Sequence, residues 1–508
     1  MRYQPILLGR LLERADRETY RGHMPGHKGK PVLPEHIERI DFTELCDTGN
    51  LYDPDPQNII RQAESRVAEE LGVPDCVFCA GGSTLLIQAA LATVVENAKC
   101  STWNISKPAR ILAARDSHRS FFSACALLGC SVDFLYPEYS PDGIAVGVSS
   151  DALRAALRAE KYDAVYLTAP NYYGSFCRAR ELAAVCAELD VPLIVDAAHA
   201  AGLVCGSKCS TWNISHSTPN FVAIFSAHKT LEALGGAAFA LSSGDFFAKE
   251  KLLRGMQIFG SSSPSYAILT SLDLALSRAL SPEGCAALDR TIDRAEAMRR
   301  KLSAVDGVTL PTFAPNTYDP LRLTIRFTHT RGETAAEWME RERGVVAEMA
   351  DDRFVVFILT AADTPSDLDR LERAIVDCAE HCHGSAGHAG AEITCPLTKS
   401  LPNEQGSSSA IVASGVISAA CLPHRFPTPE RVTDMRTALF SPAETVPLAD
   451  AEGRISAEIL APYPPGVPVV APGEKITQKA LSFLGTKWYN MNRMVRVLRA
   501  EPQSKEDK

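Results

Sequence analysis

The sequence predicts an α/β protein built on a mainly parallel sheet, and three observations point there. Between residues 60 and 245, short apolar runs of strand character alternate with stretches of helical periodicity. The runs are Val77-Phe78-Cys79-Ala80, Ile111-Leu112-Ala113-Ala114, Ala164-Val165-Tyr166-Leu167-Thr168 and Pro192-Leu193-Ile194-Val195. A helix is expected from Thr84, and Arg180 to Leu189 has helical spacing just ahead of the last of these strands. Repetition of strand, helix and strand implies right-handed crossovers and a sheet covered on both faces. Finally, Asp196 and Lys229 both fall just past apolar runs, where ligands of such sheets bind.

Beyond this unit, a helical stretch near 265–305 leads to a smaller α/β segment. Its expected strands are Leu321-Arg322-Leu323-Thr324-Ile325-Arg326-Phe327 and Phe354-Val355-Val356-Phe357-Ile358-Leu359, with a helix from Pro365 to Cys378. The expected division is an N-terminal segment and large domain over 1–275, a small α/β domain over 276–382, a linker over 383–410, a C-terminal α+β domain over 411–490 and a tail over 491–508. Gly, Ser, His and Pro mark the linker.

At 508 residues the chain can bury a large core, and its composition is that of an ordinary globular protein. A net charge of -9 without a long basic run speaks against a nucleic-acid surface. The first residues lack the apolar length of a secretory signal, and no segment reaches that of a membrane span. The cytoplasm is therefore expected, and the 15 scattered cysteines read as reduced thiols. Cys76 with Cys79, and Cys378 with His381, Cys382 and His383, lack a second half at zinc-site spacing, so no metal is expected. The octapeptide Lys-Cys-Ser-Thr-Trp-Asn-Ile-Ser stands at 99–106 and again at 208–215. It reads as a duplicated insertion in surface loops.

Four polar groups could carry chemistry. Ala80-Gly81-Gly82-Ser83-Thr84 follows a strand and opens a helix, so free N–H groups and hydroxyls stand at the positive end of a helix dipole, a seat for phosphate or a plain N-cap. His118 follows the next strand and could stack on a ring or be a structural histidine. Asp196 could keep a pyridine nitrogen protonated or cap a helix, with His199 close by in sequence. Lys229, in Phe225-Ser226-Ala227-His228-Lys229-Thr230, could form a Schiff base with pyridoxal phosphate, although most lysines are solvated charges. The order of acid then lysine, about thirty residues apart, is one in which a pyridoxal phosphate enzyme can be written.

Read in order, eight stretches resemble one family. They are Arg21-Gly22-His23-Met24-Pro25-Gly26-His27-Lys28-Gly29, Asp41-Phe42-Thr43-Glu44-Leu45, Gly82-Ser83-Thr84, Arg115-Asp116-Ser117-His118-Arg119-Ser120, Pro170-Asn171-Tyr172-Tyr173-Gly174, Val195-Asp196-Ala197-Ala198-His199, Ser226-Ala227-His228-Lys229-Thr230-Leu231 and Ser263-Pro264-Ser265-Tyr266. Together with Glu452-Gly453-Arg454-Ile455-Ser456-Ala457-Glu458, Tyr463-Pro464-Pro465-Gly466-Val467-Pro468 and Pro472-Gly473-Glu474, they resemble the Orn/Lys/Arg decarboxylases, fold-type I enzymes that use pyridoxal 5'-phosphate. The chain is most similar to the short, biosynthetic-type members without a receiver-like N-terminal domain.

The resemblance implies an aspartate-aminotransferase-like large domain with a mainly parallel sheet of the seven-stranded type. It makes Lys229 the Schiff-base lysine, Asp196 the partner of the pyridine nitrogen, His118 the ring-stacking residue and His199 a group beside the cofactor. Gly82, Ser83, Thr84, Ser226 and His228 would hold the phosphate. Ser263 would reach a partner subunit's cofactor, implying a homodimer or higher homo-oligomer, and Glu474 would hold the distal cation of a basic substrate or act as a helix N-terminal acid. Two departures stand out: Leu85-Leu86-Ile87-Gln88 where small or amide residues are common, and Asn171 where threonine is common. The implied reaction is α-decarboxylation of arginine, favoured over lysine or ornithine, to the amine in polyamine metabolism. An aminotransferase or lyase of the same fold and a non-catalytic paralogue stay open as alternatives.

Overall fold

The computed structural model describes residues 5–17, 21, 23–33, 35–45, 47–98, 108–205, 219–386, 427–462, 465–484 and 492–499. Both copies of the repeated octapeptide, most of the expected linker, Tyr463-Pro464 and the last residues of the expected tail lie outside the described residues.

A seven-stranded sheet carries the large domain. Its strands are β1 (Asp75–Cys79), β2 (Arg110–Ala114), β3 (Ser131–Leu135), β4 (Ala164–Thr168), β5 (Leu193–Asp196), β6 (Phe221–Ser226) and β7 (Ala238–Ser243). They stand in the order β1-β7-β6-β5-β4-β2-β3. Neighbours from β6 to β3 pair in parallel, and only β7, between β1 and β6, runs against the rest. Side chains of β1, β4 and β6 are buried on both faces, as a sheet covered by helices requires, so their sequences run apolar instead of alternating. The expected strands all form, with boundaries moved by a residue or so.

The helix Gly82–Ala98 that follows β1 is apolar nearly all round and correspondingly buried. Leu85, Leu86 and Ile87, noted above as departures, are part of that core. Past β2, His118 caps the helix Arg119–Leu128, which ends on Gly129 in the left-handed conformation that glycine adopts without strain. The helical stretch expected near 265–305 is two helices, Tyr266–Ala279 and Pro282–Leu302. Ser281 accepts from the N–H of Gly284, and Pro282 at the first helical position restarts the chain in a new direction.

The small domain holds an antiparallel sheet of β8 (Val308–Thr309), β9 (Arg322–Phe327), β10 (Met349–Ala350) and β11 (Val355–Ile358), in the order β8-β9-β11-β10. Its last helix runs Pro365–Ala386, longer than the apolar spacing suggested. The loop after β4 is sewn to it. Asp319 N–H donates to Gly174 O at 2.7 Å, Thr324 Oγ1 to Tyr173 O at 2.9 Å, and Tyr173 Oη to Asp351 at 2.6 Å. Asn171, the second departure, holds that loop from inside, because its Oδ1 accepts the N–H groups of Tyr173 and Ser175.

The C-terminal segment pairs β12 (Ala443–Pro447) with β13 (Met494–Leu498) around a small core of its own. It docks on the large domain through Arg115, whose side chain is 0% exposed. Arg115 donates to Pro468 O at 2.7 Å and forms an ion pair with Glu474 Oε2 at 2.9 Å, while the rings of Phe122 and Phe134 flank its guanidinium. The Ala471 N–H donates to the same Glu474 oxygen at 2.7 Å. Glu474, expected to face a substrate cation or a helix N-terminus, is thus 3% exposed and joins two domains. Burial pushes its carboxyl above the usual range, and Arg115 opposes that shift.

Removing one partner of a buried ion pair leaves the other charge uncompensated and costs about 3–5 kcal/mol. Glu474→Leu and Arg115→Met should each lower stability by that order in urea unfolding, and the double variant should lose less than the sum. Strictly additive losses would contradict this clamp.

Candidate active site

Parallel strands bring their carboxyl ends to one edge, and the chemistry-bearing residues collect along it. Ser83 follows β1, His118 follows β2, Asp196 ends β5, and Lys229 follows β6. After β6 the chain turns through a short helix, Ala227–Thr230, whose Thr230 Oγ1 accepts the N–H of Gly202 at 2.9 Å. That contact ties the lysine turn to the segment following Asp196. Lys229 Nζ lies 3.0 Å from His199 Nε2.

Burial pulls the Lys229 ammonium below its ordinary pKa, while the carboxylates of Asp196 and Glu348 act in the opposite direction. His199 is 6% exposed, and burial followed by the Lys229 charge holds its imidazole well below 6.5. It is therefore neutral at ordinary pH. An ammonium donating to Nε2 fixes the neutral ring's proton on Nδ1, which has no hydrogen-bond partner. The edge of Tyr172 packs on the same imidazole at 4.5 Å between centroids.

Asp196 is paired in register with Thr168 on β4 and Ile224 on β6, which buries it at 4% exposure. Tyr166 Oη donates to its Oδ2 at 3.0 Å and the Ala198 N–H to its Oδ1 at 3.2 Å. Burial and the neighbouring Asp196 push Tyr166 well above 10, so this phenol stays a donor. His118 accepts the Ser120 N–H on Nδ1 at 3.3 Å, placing the neutral ring's proton on Nε2. Burial lowers its pKa; the Asp196 charge raises it and Lys229 lowers it, so the three share one electrostatic neighbourhood.

The helix Gly82–Ala98 begins where Gly82, at φ +70°, donates its N–H to Gly236 O at 2.8 Å. Ser226 Oγ donates to Ser83 Oγ at 2.8 Å, uniting the ends of β6 and β1, and Thr84 is exposed beside them. His228 Nδ1 lies 2.9 Å from Ala237 O. A Cβ added at Gly82 or Gly235 would meet nothing within 4 Å, so the helix start opens on a cradle. A helix N-terminus with free hydroxyls suits phosphate, a lysine amine suits an aldehyde and a buried carboxylate suits a pyridinium. These residues fit a phosphorylated pyridine aldehyde, and the unpartnered His199 Nδ1 and Thr168 Oγ1 leave polar atoms for it.

Two expected site residues lie elsewhere. Ser263 is exposed on the loop ahead of Tyr266–Ala279, its N–H donating to Ser261 Oγ at 3.1 Å. Glu474 is committed to Arg115, as described. Sequence reasoning passed over Tyr166, Glu348 and Arg322. Tyr166 sits two residues before the strand's end, one pleat back from Thr168, a spacing that could have marked it as facing Asp196. Nothing local signals Glu348, an exposed acid of the small domain whose Oε1 accepts from Tyr172 Oη at 3.2 Å.

Fold and site define an α/β protein with a lysine, a buried imidazole and a buried carboxylate at the carboxyl edge of its sheet. The chain belongs to the Orn/Lys/Arg decarboxylase family: the model of that family's major domain matches residues 5–319 and the model of its C-terminal domain matches residues 424–492. It is 27% identical to the arginine decarboxylase of Bacillus subtilis over 497 residues, covering 94% of this chain and 92% of the relative. Among solved structures it is similar to the lysine decarboxylase of Francisella novicida, with a TM-score of 0.73 at 17% identity over 98% of this chain and 81% of that one. Lysine decarboxylase A of Pseudomonas aeruginosa gives 0.73 at 20% identity, over 95% and 75%. Such likenesses establish the fold.

His199 supplies a pH test. Its folded pKa lies below the unfolded value of about 6.5, so as pH falls through that value the unfolded chain takes up a proton that the folded chain refuses. Stability is thus lost as pH falls below about 6.5. In the apoprotein, His199→Gln should flatten this decline between about pH 7 and 5 in urea titrations. An unchanged slope would contradict a neutral, buried His199.

Proposed function

We propose that this chain decarboxylates a basic amino acid at Cα, with arginine favoured over lysine and ornithine, using pyridoxal phosphate anchored on Lys229. The observation that carries this reading is the contact of the Lys229 amine with neutral His199 beside the buried Asp196. That full-length relatives carry the name arginine decarboxylase supports arginine in particular.

In this reading Lys229 holds the cofactor covalently, Asp196 faces its pyridine nitrogen, His118 covers its ring, and Gly82, Ser83, Thr84, Ser226 and His228 hold its phosphate. The bound cofactor supplies a protonated pyridine that accepts the electron pair of the breaking bond between Cα and the carboxylate. The protein's part is to fix charges and protons. Asp196, oriented by Tyr166 and the Ala198 N–H, keeps its carboxylate aimed and holds a proton at the pyridine nitrogen. His199 Nε2 accepts a hydrogen bond from the Lys229 amine and keeps it in place, and burial lowers the lysine pKa toward the neutral, nucleophilic form. With Nδ1 directed at Ala237 O, His228 would turn its Nε2 toward the phosphate. The net reaction consumes one proton for each carbon dioxide released.

The exposed Ser263 loop is the surface offered to a second copy, which would complete the site in a homodimer. On this reading a product amine such as agmatine would feed polyamine metabolism, and the enzyme would act in the cytoplasm. Among the described residues no helix is long and apolar enough to cross a membrane.

Carbon dioxide release from arginine, lysine and ornithine tests the reading. Arginine should be fastest, the co-product should be the amine and not a keto acid, and Lys229→Ala should lower the rate by more than about a thousandfold. Release from none of the three, or an active Lys229→Ala, would contradict it.

A further inference from the structure

Tyr166 lies in the middle of β4, paired with Ala113 on β2 and with Ile194 on β5. Asp196 stands two residues further along β5, a step of about 6.6 Å toward the carboxyl edge. A tyrosine is long enough to span that step, and its Oη donates to Asp196 Oδ2 at 3.0 Å. The side chain is 0% exposed, with the Phe121 ring 4.3 Å away between centroids. Two titratable groups bear on the phenol, Asp196 and Cys125, and burial pushes the Cys125 thiol well above its ordinary value. Among the described residues the Asp196 carboxylate is thus the anion that this hydroxyl meets.

A buried carboxylate facing a pyridine nitrogen has two ways to hold the proton between them. Either the nitrogen is protonated and the carboxylate charged, or the proton has moved to the oxygen and both groups are neutral. Burial favours the neutral pair, because charges taken out of water lose their solvation. Hydrogen bonds donated to the carboxylate favour the charged pair. Asp196 receives two, from Tyr166 on Oδ2 and from the Ala198 N–H, at 3.2 Å, on Oδ1. Neither donor gives up its proton: an amide does not ionise in this range, and burial with the Asp196 charge pushes the phenol well above 10. Each carboxylate oxygen keeps a further lone pair for the nitrogen. The backbone donor comes with the strand end, and the Tyr166 hydroxyl is the one that a side chain supplies.

Resting on the reading that pyridoxal phosphate is anchored on Lys229, we infer that Tyr166 is a positioning residue that keeps the proton on the cofactor's ring nitrogen, acting through Asp196. A protonated ring draws electrons from the bond between Cα and the carboxylate, and a neutral ring draws them far less. The hydroxyl therefore bears on the rate of carbon dioxide loss and leaves substrate binding alone. Its length is part of the device. A serine or threonine at position 166 would present a hydroxyl one pleat too far back to reach Asp196.

Tyr166→Phe deletes one oxygen and keeps the ring against Phe121, which separates the hydroxyl's role from packing. Wild type and variant are loaded with pyridoxal phosphate carrying nitrogen-15 in its ring, and the chemical shift of that nitrogen is read by solid-state NMR. Alongside it, kcat and KM are measured for the basic amino acid that the wild type turns over. The wild type should show a pyridinium nitrogen, and the variant's signal should move toward that of free pyridine. In the variant kcat should fall by roughly ten- to hundredfold, the size of one hydrogen bond to a charged group, while KM stays within about threefold. Tyr166→Met, which also lacks the hydroxyl, carries the comparison should the phenylalanine variant fail to fold. A pyridinium signal unchanged in the variant, or a loss confined to KM, would overturn the inference with the cofactor reading intact. A wild type that takes up no cofactor would overturn that reading first and this inference with it.

Discussion

Burial of a single amine organises the centre of this molecule. Taking Lys229 out of water costs free energy unless a hydrogen-bond acceptor and an opposite charge accompany it. The fold supplies both along one sheet edge. Parallel registry of β4, β5 and β6 puts Asp196 level with Thr168 and Ile224, and the turn after β6 swings Lys229 back to His199. Asp196 could not be moved by one position without reversing its face, because strand side chains alternate.

The same burial explains why the surroundings are polar yet tightly satisfied. Tyr166 and the Ala198 N–H hold the Asp196 carboxylate, Ser120 holds His118 in one tautomer, and Ser226 with Ser83 joins the two strand ends at the helix start. Beside that satisfied set, His199 Nδ1 and Thr168 Oγ1 are left without a hydrogen-bond partner. Buried polar atoms are rarely left unpaired, and His199 Nδ1 is one such atom, on the ring that contacts Lys229. The C-terminal domain is fastened to the large domain through Arg115 and Glu474.

Legibility in the sequence followed the range of each interaction. The sheet could be read because strands buried on both faces are written as continuous apolar runs, and Asp196 and Lys229 could be placed because each directly follows one. The reversed direction of β7 could not, since Ala238–Ser243 is as apolar as its parallel neighbours. Glu474 was misjudged for a related reason. An acid after a glycine reads the same whether it faces a ligand or an arginine 359 residues earlier in the chain, and only the docking of the domains decides. Arg322 sat unnoticed in Leu-Arg-Leu-Thr-Ile-Arg-Phe, where alternation suggests a solvent-facing charge, and the large domain's Gly174 loop covers that face instead.

The proposed reading turns on the Lys229 amine as the covalent anchor of pyridoxal phosphate. Borohydride reduction of the loaded protein followed by proteolysis and mass spectrometry measures it directly. The expected product is a single reduced phosphopyridoxyl adduct, on the peptide containing Lys229. An adduct on another lysine, or none in protein that retains decarboxylase activity, would contradict it.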